Sequence, residues 1–374
     1  MDDNEHLKLC MEWLLKAQKV TSDGGVSAIY EADKHIWRKS YPETTGYIIP
    51  TFLNYYKHYK KEVFKEIAIE MGEWELEIQS PDGGTGDYLG FYASNTLKPR
   101  NFNTGQVMLG YLSLYELTRN EKYLTAAKKS AEYVINTLNS EGTWNFSQFN
   151  TPKSYNIRVA WPILELSKIL DSNRYQFYGE LMTNWVISQA NDNGWFNKNS
   201  FSEKKTSGLT HLIGYTLVGL LKIYQIKNLN LDYNYIIKIL TAAADNLSEF
   251  YINKKSLNNK YIGFPAFFNS NWQGIVNWSC VTGNTQIEYF MREISQAANN
   301  KKYSEVADLI NLEMKSIHIT KKTSNDENLI GGLFGSNPIE GEYCPYQIPN
   351  WGVKFFADSL LQKLLQEHKL NFIG

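Results

Sequence analysis

Thr210-His211-Leu212-Ile213-Gly214-Tyr215-Thr216-Leu217-Val218-Gly219-Leu220-Leu221 opens on two polar residues and then runs apolar around every face of a helix. A surface helix keeps one polar face, so a helix apolar all round has to be packed on both sides. Spanning a bilayer takes about 20 apolar residues, and this run is too short for that. It therefore predicts a helix buried within protein.

Five further segments open with small or polar residues and then run apolar in the same way. With Thr210–Tyr224 they are Thr45–Tyr59, Thr104–Thr118, Ile157–Leu170, Thr282–Gln296 and Asn350–Leu365. Gly46, Gly105, Arg158, His211, Gly283 and Trp351 mark their starts, at successive spacings of 59, 53, 53, 72 and 68 residues. A unit of that size holds two helices and a loop. The intervening segments Asn4–Gln18, Val63–Gln79, Lys122–Leu138, Arg174–Gln189, Tyr233–Tyr251 and Tyr303–His318 gather their charges on one face. That is the pattern of an outer layer. Six inner and six outer helices in alternation predict an all-α fold, an (α/α)6 toroid, with residues 1–374 forming one barrel domain.

The turns set the polarity of this barrel. Asp23-Gly24-Gly25, Asp82-Gly83-Gly84, Glu141-Gly142-Thr143-Trp144, Asn193-Gly194-Trp195-Phe196, Phe264-Pro265-Ala266-Phe267 and Gly331-Gly332-Leu333-Phe334 separate each outer helix from the next inner one. Connections in the other direction are shorter, as at Thr118-Arg119-Asn120-Glu121 and Asp171-Ser172-Asn173. Long loops thus gather where the inner helices begin, and function concentrates on such loops.

The overall balance narrows the partners. There are 38 basic and 39 acidic residues, a net charge of -1, so neither nucleic acid nor membrane insertion is expected. Cys10, Cys280 and Cys344 are an odd, widely spaced set and make a poor disulfide framework. The acidic start Met1-Asp2-Asp3-Asn4-Glu5 has neither the basic nor the apolar region of a signal peptide, so a cytoplasmic protein is expected. Aromatic residues make up 14%, with 25 Tyr and 10 Trp, and many fall in the long loops.

Those loops carry the candidate site. Glu43 and Tyr47 come from the first; Asp87, Arg100, Asn103 and Gln106 from the second; Trp144 and Arg158 from the third. The fourth supplies Trp195 and His211, and the fifth Trp278 and Asn284. Glu342, Tyr343, Trp351 and Lys354 belong to the sixth. Singly, these have plain structural readings. Thr45, Thr104, Thr210 and Thr282 read as N-caps, Gly46, Gly105 and Gly283 as close helix contacts, and Trp144 and Trp195 as plugs beneath turns. Together, flat aromatics beside amides suit sugar rings, which offer apolar C–H faces and a rim of hydroxyls. Arg100, Arg158, His211 and Lys354 can hold a carboxylate or phosphate. Glycoside hydrolysis needs two carboxyl groups, for which Glu43, Asp87, Glu340 and Glu342 are candidates. Epimerisation or β-elimination at a uronate needs a base, for which His211 with Tyr47 or Tyr343 is suited.

The chain resembles the six-hairpin glycosidase-like superfamily, and within it a prokaryotic group associated with surface-polysaccharide gene clusters. The resemblance rests on Tyr41-Pro42-Glu43-Thr44-Thr45-Gly46-Tyr47, Phe102-Asn103-Thr104-Gly105-Gln106-Val107, Tyr155-Asn156-Ile157-Arg158-Val159-Ala160-Trp161, Thr282-Gly283-Asn284-Thr285-Gln286 and Pro349-Asn350-Trp351-Gly352-Val353-Lys354. It implies the toroid fold and a role on glycans without fixing a reaction, so a carbohydrate-active enzyme is expected, a hydrolase, lyase or uronate epimerase. The inner-helix N-termini, with Arg158, His211 and Lys354, add the expectation of an acidic oligosaccharide or polysaccharide in a cleft there. The second motif commonly carries Asp where this chain has Asn103, which puts any acid–base role at that position in doubt.

Two other readings use the same loops. A glycan-binding protein would keep the aromatics and amides without a convergent acid or base. A zinc-dependent toroid enzyme would use Cys280, Cys344 and His211, although no compact zinc spacing is present. No metal or cofactor is expected.

Overall fold

The computed structural model describes residues 1–87, 98–144, 151–202, 206–254 and 261–367. Helices alternate in the chain as α1 (Asp3–Lys19), α2 (Pro42–Tyr59), α3 (Glu62–Ile78), α4 (Asn101–Thr118), α5 (Glu121–Asn136) and α6 (Ile157–Leu170). They continue as α7 (Asn173–Ile187), α8 (Thr210–Gln225), α9 (Tyr233–Lys254), α10 (Val281–Ala297), α11 (Lys301–Ile317) and α12 (Asn350–Glu367). The even-numbered helices form the inner ring. Each packs on the next, and α12 returns to pack on α2, so the ring closes. The odd-numbered helices lie outside it, each against its hairpin partner or the neighbouring inner helix. This is an (α/α)6 toroid.

Burial follows the two sequence patterns. Residues Thr210 to Leu221 of α8 are buried without a break, as are Asn103 to Leu112 of α4. In α5 buried Tyr123, Ala127, Ala131 and Val134 alternate with exposed lysines, so only one face meets the inner ring. Each buried large apolar side chain contributes about 1.5–3 kcal/mol, so the inner ring dominates the core.

Glycine sets how closely inner helices approach. A Cβ on Gly46 of α2 would lie 2.5 Å from Val107 Cα on α4, and one on Gly283 of α10 would lie 2.6 Å from the His211 nitrogen on α8. Backbones this close exclude any side chain.

Of the threonines read as caps, Thr45 and Thr104 sit one turn inside their helices, whereas Thr210 and Thr282 are the first and second residues of theirs. The Thr45 hydroxyl donates to the Tyr41 carbonyl at 2.9 Å and accepts from the Val26 amide at 2.9 Å. Thr104 repeats this with the Arg100 carbonyl at 2.8 Å and the Thr85 amide at 2.9 Å. Thr210 donates to the Pro265 carbonyl at 2.5 Å. These three hydroxyls tie long loops to inner helices rather than capping the helix start.

The long loops also pair with one another through short strands. Strand β1 (Ile29–Glu31) joins β2 (Ile36–Trp37) and β7 (Gln347–Pro349), with Tyr30 opposite both Trp37 and Ile348. Strand β3 (Gly208–Leu209) joins β4 (Phe267–Phe268), and β5 (Ser279–Cys280) joins β6 (Ser336–Asn337). The β1–β7 pair joins the first loop to the last, so the ring is closed at its loop end as well as through its helices. Among the described residues no helix is long and apolar enough to cross a membrane.

Candidate functional site

Two chambers occupy the ring, and Tyr47 of α2 and Tyr215 of α8 line both. The first is a recess of about 60 Å³ at the N-terminal ends of the inner helices. Glu43, His211, Tyr343 and Trp351 line it, with Tyr41, Phe102 and Tyr155.

Glu43 lies in the first turn of α2, and the Tyr41 hydroxyl donates to its Oε2 at 2.8 Å. Burial raises its pKa to about 7, and the Asp87 charge adds to the rise. The Tyr41 bond and the positive charges of Arg100 and Arg158 work the other way. A carboxyl poised near neutrality can donate a proton at physiological pH.

His211 is the second residue of α8, and its Nδ1 lies 2.8 Å from Gln286 Oε1 on α10. An amide oxygen only accepts, so Nδ1 carries the proton and Nε2 keeps a lone pair. Burial lowers the imidazole pKa to about 4, the Gln286 bond opposes this, and the Arg158 charge adds to it. The ring is therefore neutral through the physiological range. It packs on Tyr215 at 4.4 Å between ring centroids and on Tyr343 at 5.7 Å. Trp351 Nε1 donates to the Tyr343 hydroxyl at 2.8 Å. Phe102 stands edge-on to Tyr155 at 5.1 Å and to Tyr215 at 5.4 Å. A neutral base and a carboxyl that titrates near neutrality thus share one aromatic enclosure.

Behind this lining stand Asp87, Arg100 and Asn103. Asp87 is buried, with an oxygen 4.0 Å from Arg100 Nη2. Asn103 donates to the Gly86 carbonyl at 3.2 Å and accepts from the Tyr41 hydroxyl at 3.5 Å. It is tied into the structure as an amide.

The remaining expected residues lie elsewhere. Arg158 and Lys354 line the second chamber, and Gln106 Oε1 accepts from Arg158 Nε and Nη2 at 3.2 and 3.0 Å. The expectation that Glu43, Arg158, His211, Trp351 and Glu342 share one cleft is therefore corrected. Glu342 is exposed, as is Glu340, because both sit on the outer turn that follows β6. Trp144 donates its indole N–H to the Val134 carbonyl at 3.3 Å, beneath its own turn. Trp195 stands edge-on to Trp272 at 5.5 Å, and Trp278 edge-on to Phe267 at 6.1 Å. Asn284 serves the backbone, accepting from the Phe264 amide at 2.6 Å and donating to the Cys280 carbonyl at 2.9 Å. These four line neither chamber, because the long loops need their own polar and apolar fastening. Among the described residues no group of three His, Cys, Asp or Glu side chains is placed to hold a metal ion, so Cys280, Cys344 and His211 form no such set.

Sequence reasoning passed over Tyr41, Phe102, Tyr155, Tyr215 and Gln286 as site residues. Tyr41, Phe102 and Tyr155 stand at or just before inner-helix starts, and that position was the available signal. Tyr215 follows His211 by one helical turn, which places the two rings together.

No family model and no curated protein matches the chain in sequence. Solved structures match it over nearly its full length. An unsaturated glucuronyl hydrolase specific for heparin superposes with a TM-score of 0.73 at 13% identity, covering 100% of this chain and 99% of its own. The cellobiose 2-epimerase of Bacillus thermoamylovorans gives 0.69 at 12% identity, covering 96% and 99%. A D-mannose isomerase gives 0.71 at 11% identity, covering 96% and 97%. These likenesses establish that the chain has the six-hairpin toroid fold that those enzymes use.

Proposed function

We propose that this chain is a carbohydrate-active enzyme that acts on an acidic glycan by acid–base catalysis in the recess at the inner-helix N-termini. One observation carries the reading. Glu43, raised to about 7, and His211, lowered to about 4, line the same aromatic recess. Environments that push two titratable groups apart in this way assign acid and base. Glu43 donates a proton to the departing or enolising oxygen. His211, through Nε2, takes one from water or from a C–H bond. The aromatic lining of Tyr215, Tyr343 and Phe102 suits a sugar ring. Arg100, together with the positive ends of the surrounding inner helices, favours a carboxylate on it. The enzymes that share the fold support a glycan substrate.

The test incubates the protein with uronate-terminated and matched neutral oligosaccharides in isotopically labelled water. Oxygen-18 in a cleaved product marks hydrolysis, deuterium on an intact sugar marks epimerisation or isomerisation, and a new double bond marks elimination. Turnover should favour the uronate substrates and fall sharply in Glu43→Gln. If no substrate is turned over while wild type and Glu43→Gln bind glycan equally well, the protein is a binder and the catalytic reading is wrong.

A further inference from the structure

The second chamber is the larger, with a volume of about 640 Å³, and it opens at the other end of the ring. Its rim carries exposed Glu116, Arg119 and Lys168, at the C-terminal ends of α4 and α6. Its floor carries buried Tyr47, Arg158, Gln286, Tyr289 and Lys354. Cavities of roughly 300–1,000 Å³ with an apolar lining and a few convergent polar groups are typical of small-molecule sites.

The charges in this chamber are unequally matched. Lys354 is paired with Asp358, and Lys222 with Glu293 at 3.4 Å. At the rim, Glu165 meets Lys168 at 3.0 Å and Glu116 meets Lys57 at 3.7 Å. Arg158 is 3% exposed and is held by the neutral Gln106 amide, with its guanidinium over Trp161 at 5.2 Å and Tyr215 at 5.4 Å. Among the described residues it forms no ion pair. A guanidinium does not shed its proton, so this burial leaves a full positive charge with no carboxylate in contact, Asp358 and Glu43 acting on it only at a distance. An anion in the chamber supplies that contact. The aromatic walls, Trp161, Tyr215, Tyr289 and Phe355, match the apolar face of a sugar ring.

We infer that this chamber is a second ligand site, entered from the C-terminal ends of the inner helices, that takes a small sugar bearing a carboxylate or phosphate with its anion on Arg158. Neither Glu43 nor His211 lines it, although the Arg158 charge reaches both and Gln286, which holds His211, lies on its floor. Tyr47 and Tyr215, which line both chambers, together with Arg158 and Gln286, link occupancy of one chamber to the other.

Calorimetric titration with glucuronate, glucose 6-phosphate and glucose tests this, using wild type, Arg158→Met, Ser113→Trp and Glu43→Gln. Ser113 lies on the chamber wall, half-buried, on α4 rather than on the helix of Arg158, so a tryptophan there fills the space while leaving Arg158 in place. At least one acidic sugar should bind roughly tenfold or more tightly than glucose, and the one that does identifies carboxylate or phosphate as the anion. That advantage should vanish in Arg158→Met and in Ser113→Trp and persist in Glu43→Gln. If Arg158→Met fails to fold, as judged by thermal unfolding, Ser113→Trp decides. Equal affinity for all three sugars, or no binding, overturns the inference. So does loss in Glu43→Gln with retention in Ser113→Trp, which would place the ligand in the recess.

Discussion

Gln286 on α10 fixes the tautomer of His211 on α8 by presenting its Oε1 2.8 Å from Nδ1. An acceptor on Nδ1 directs the lone pair to Nε2, and a neutral acceptor leaves burial free to lower the pKa to about 4. Gln286→Glu replaces that amide with a carboxylate, which favours the charged imidazolium. The folded-state pKa of His211 should then rise, and the acidic limb of the pH–rate profile should move from near 4 toward neutrality. Kinetics between pH 3 and 8 on the best substrate checks this. An unmoved limb would remove His211 from the role of base.

Glu43 sets the opposite limb. As an acid it must be protonated, so activity should fall as pH rises through about 7. Glu43→Gln should lower kcat/KM by about 10²–10⁴-fold and abolish that limb. The Tyr41 hydroxyl stabilises the ionised form of Glu43, so Tyr41→Phe should shift the limb to higher pH while leaving the acidic limb in place. A shift to lower pH in Tyr41→Phe would contradict the electrostatic account of Glu43.

Glu75 of α3 is wholly buried, and neither carboxyl oxygen has a hydrogen-bond partner among the described residues. Burial raises its pKa well above the usual 4.5. With the folded pKa raised, the folded state holds its proton after the unfolded state has lost one. The pH-dependent part of its cost is therefore absent below about pH 4.5 and grows as pH rises above that value. Glu75→Met should stabilise the protein at pH 7 by about 1–3 kcal/mol and have far less effect at pH 4. Thermal unfolding at the two pH values measures the difference. Equal effects at both would mean that burial does not raise the carboxyl's pKa.

Gly46 lets α2 meet α4, and the added methyl of Gly46→Ala would fall 2.5 Å from Val107 Cα. Backbone cannot give way as a flexible side chain does, so the helices must separate. A loss of about 1–3 kcal/mol is expected in denaturant unfolding, with reduced turnover because Glu43 and Tyr47 ride on α2. An unchanged midpoint would show that the ring tolerates wider spacing.

The fold was legible because its signals are local. The all-round apolarity of Thr210 to Leu221, the one-sided charge of the outer segments and the glycine turns each depend on a few neighbouring residues. Repeated six times, they allow few arrangements other than a closed double ring. The loop end was legible for the same reason, since loop lengths are read directly from the spacing.

The distribution of side chains between two chambers depended on tertiary structure. Arg158 and His211 are each the second residue of an inner helix, and by sequence they are equivalent. Gln286 from α10 holds His211 at the recess, whereas Gln106 from α4 draws Arg158 into the larger chamber. The turn carrying Glu342 carries that residue out to solvent, and Tyr41 brings its hydroxyl onto Glu43. The sequence by itself determined which helices line the ring and at which end the loops gather, because hydrophobic periodicity and turn chemistry act within a few residues. Only the tertiary structure decided which polar groups meet and what their pKa values become, because those follow from neighbours tens or hundreds of residues away and from burial that exists only once the ring has closed.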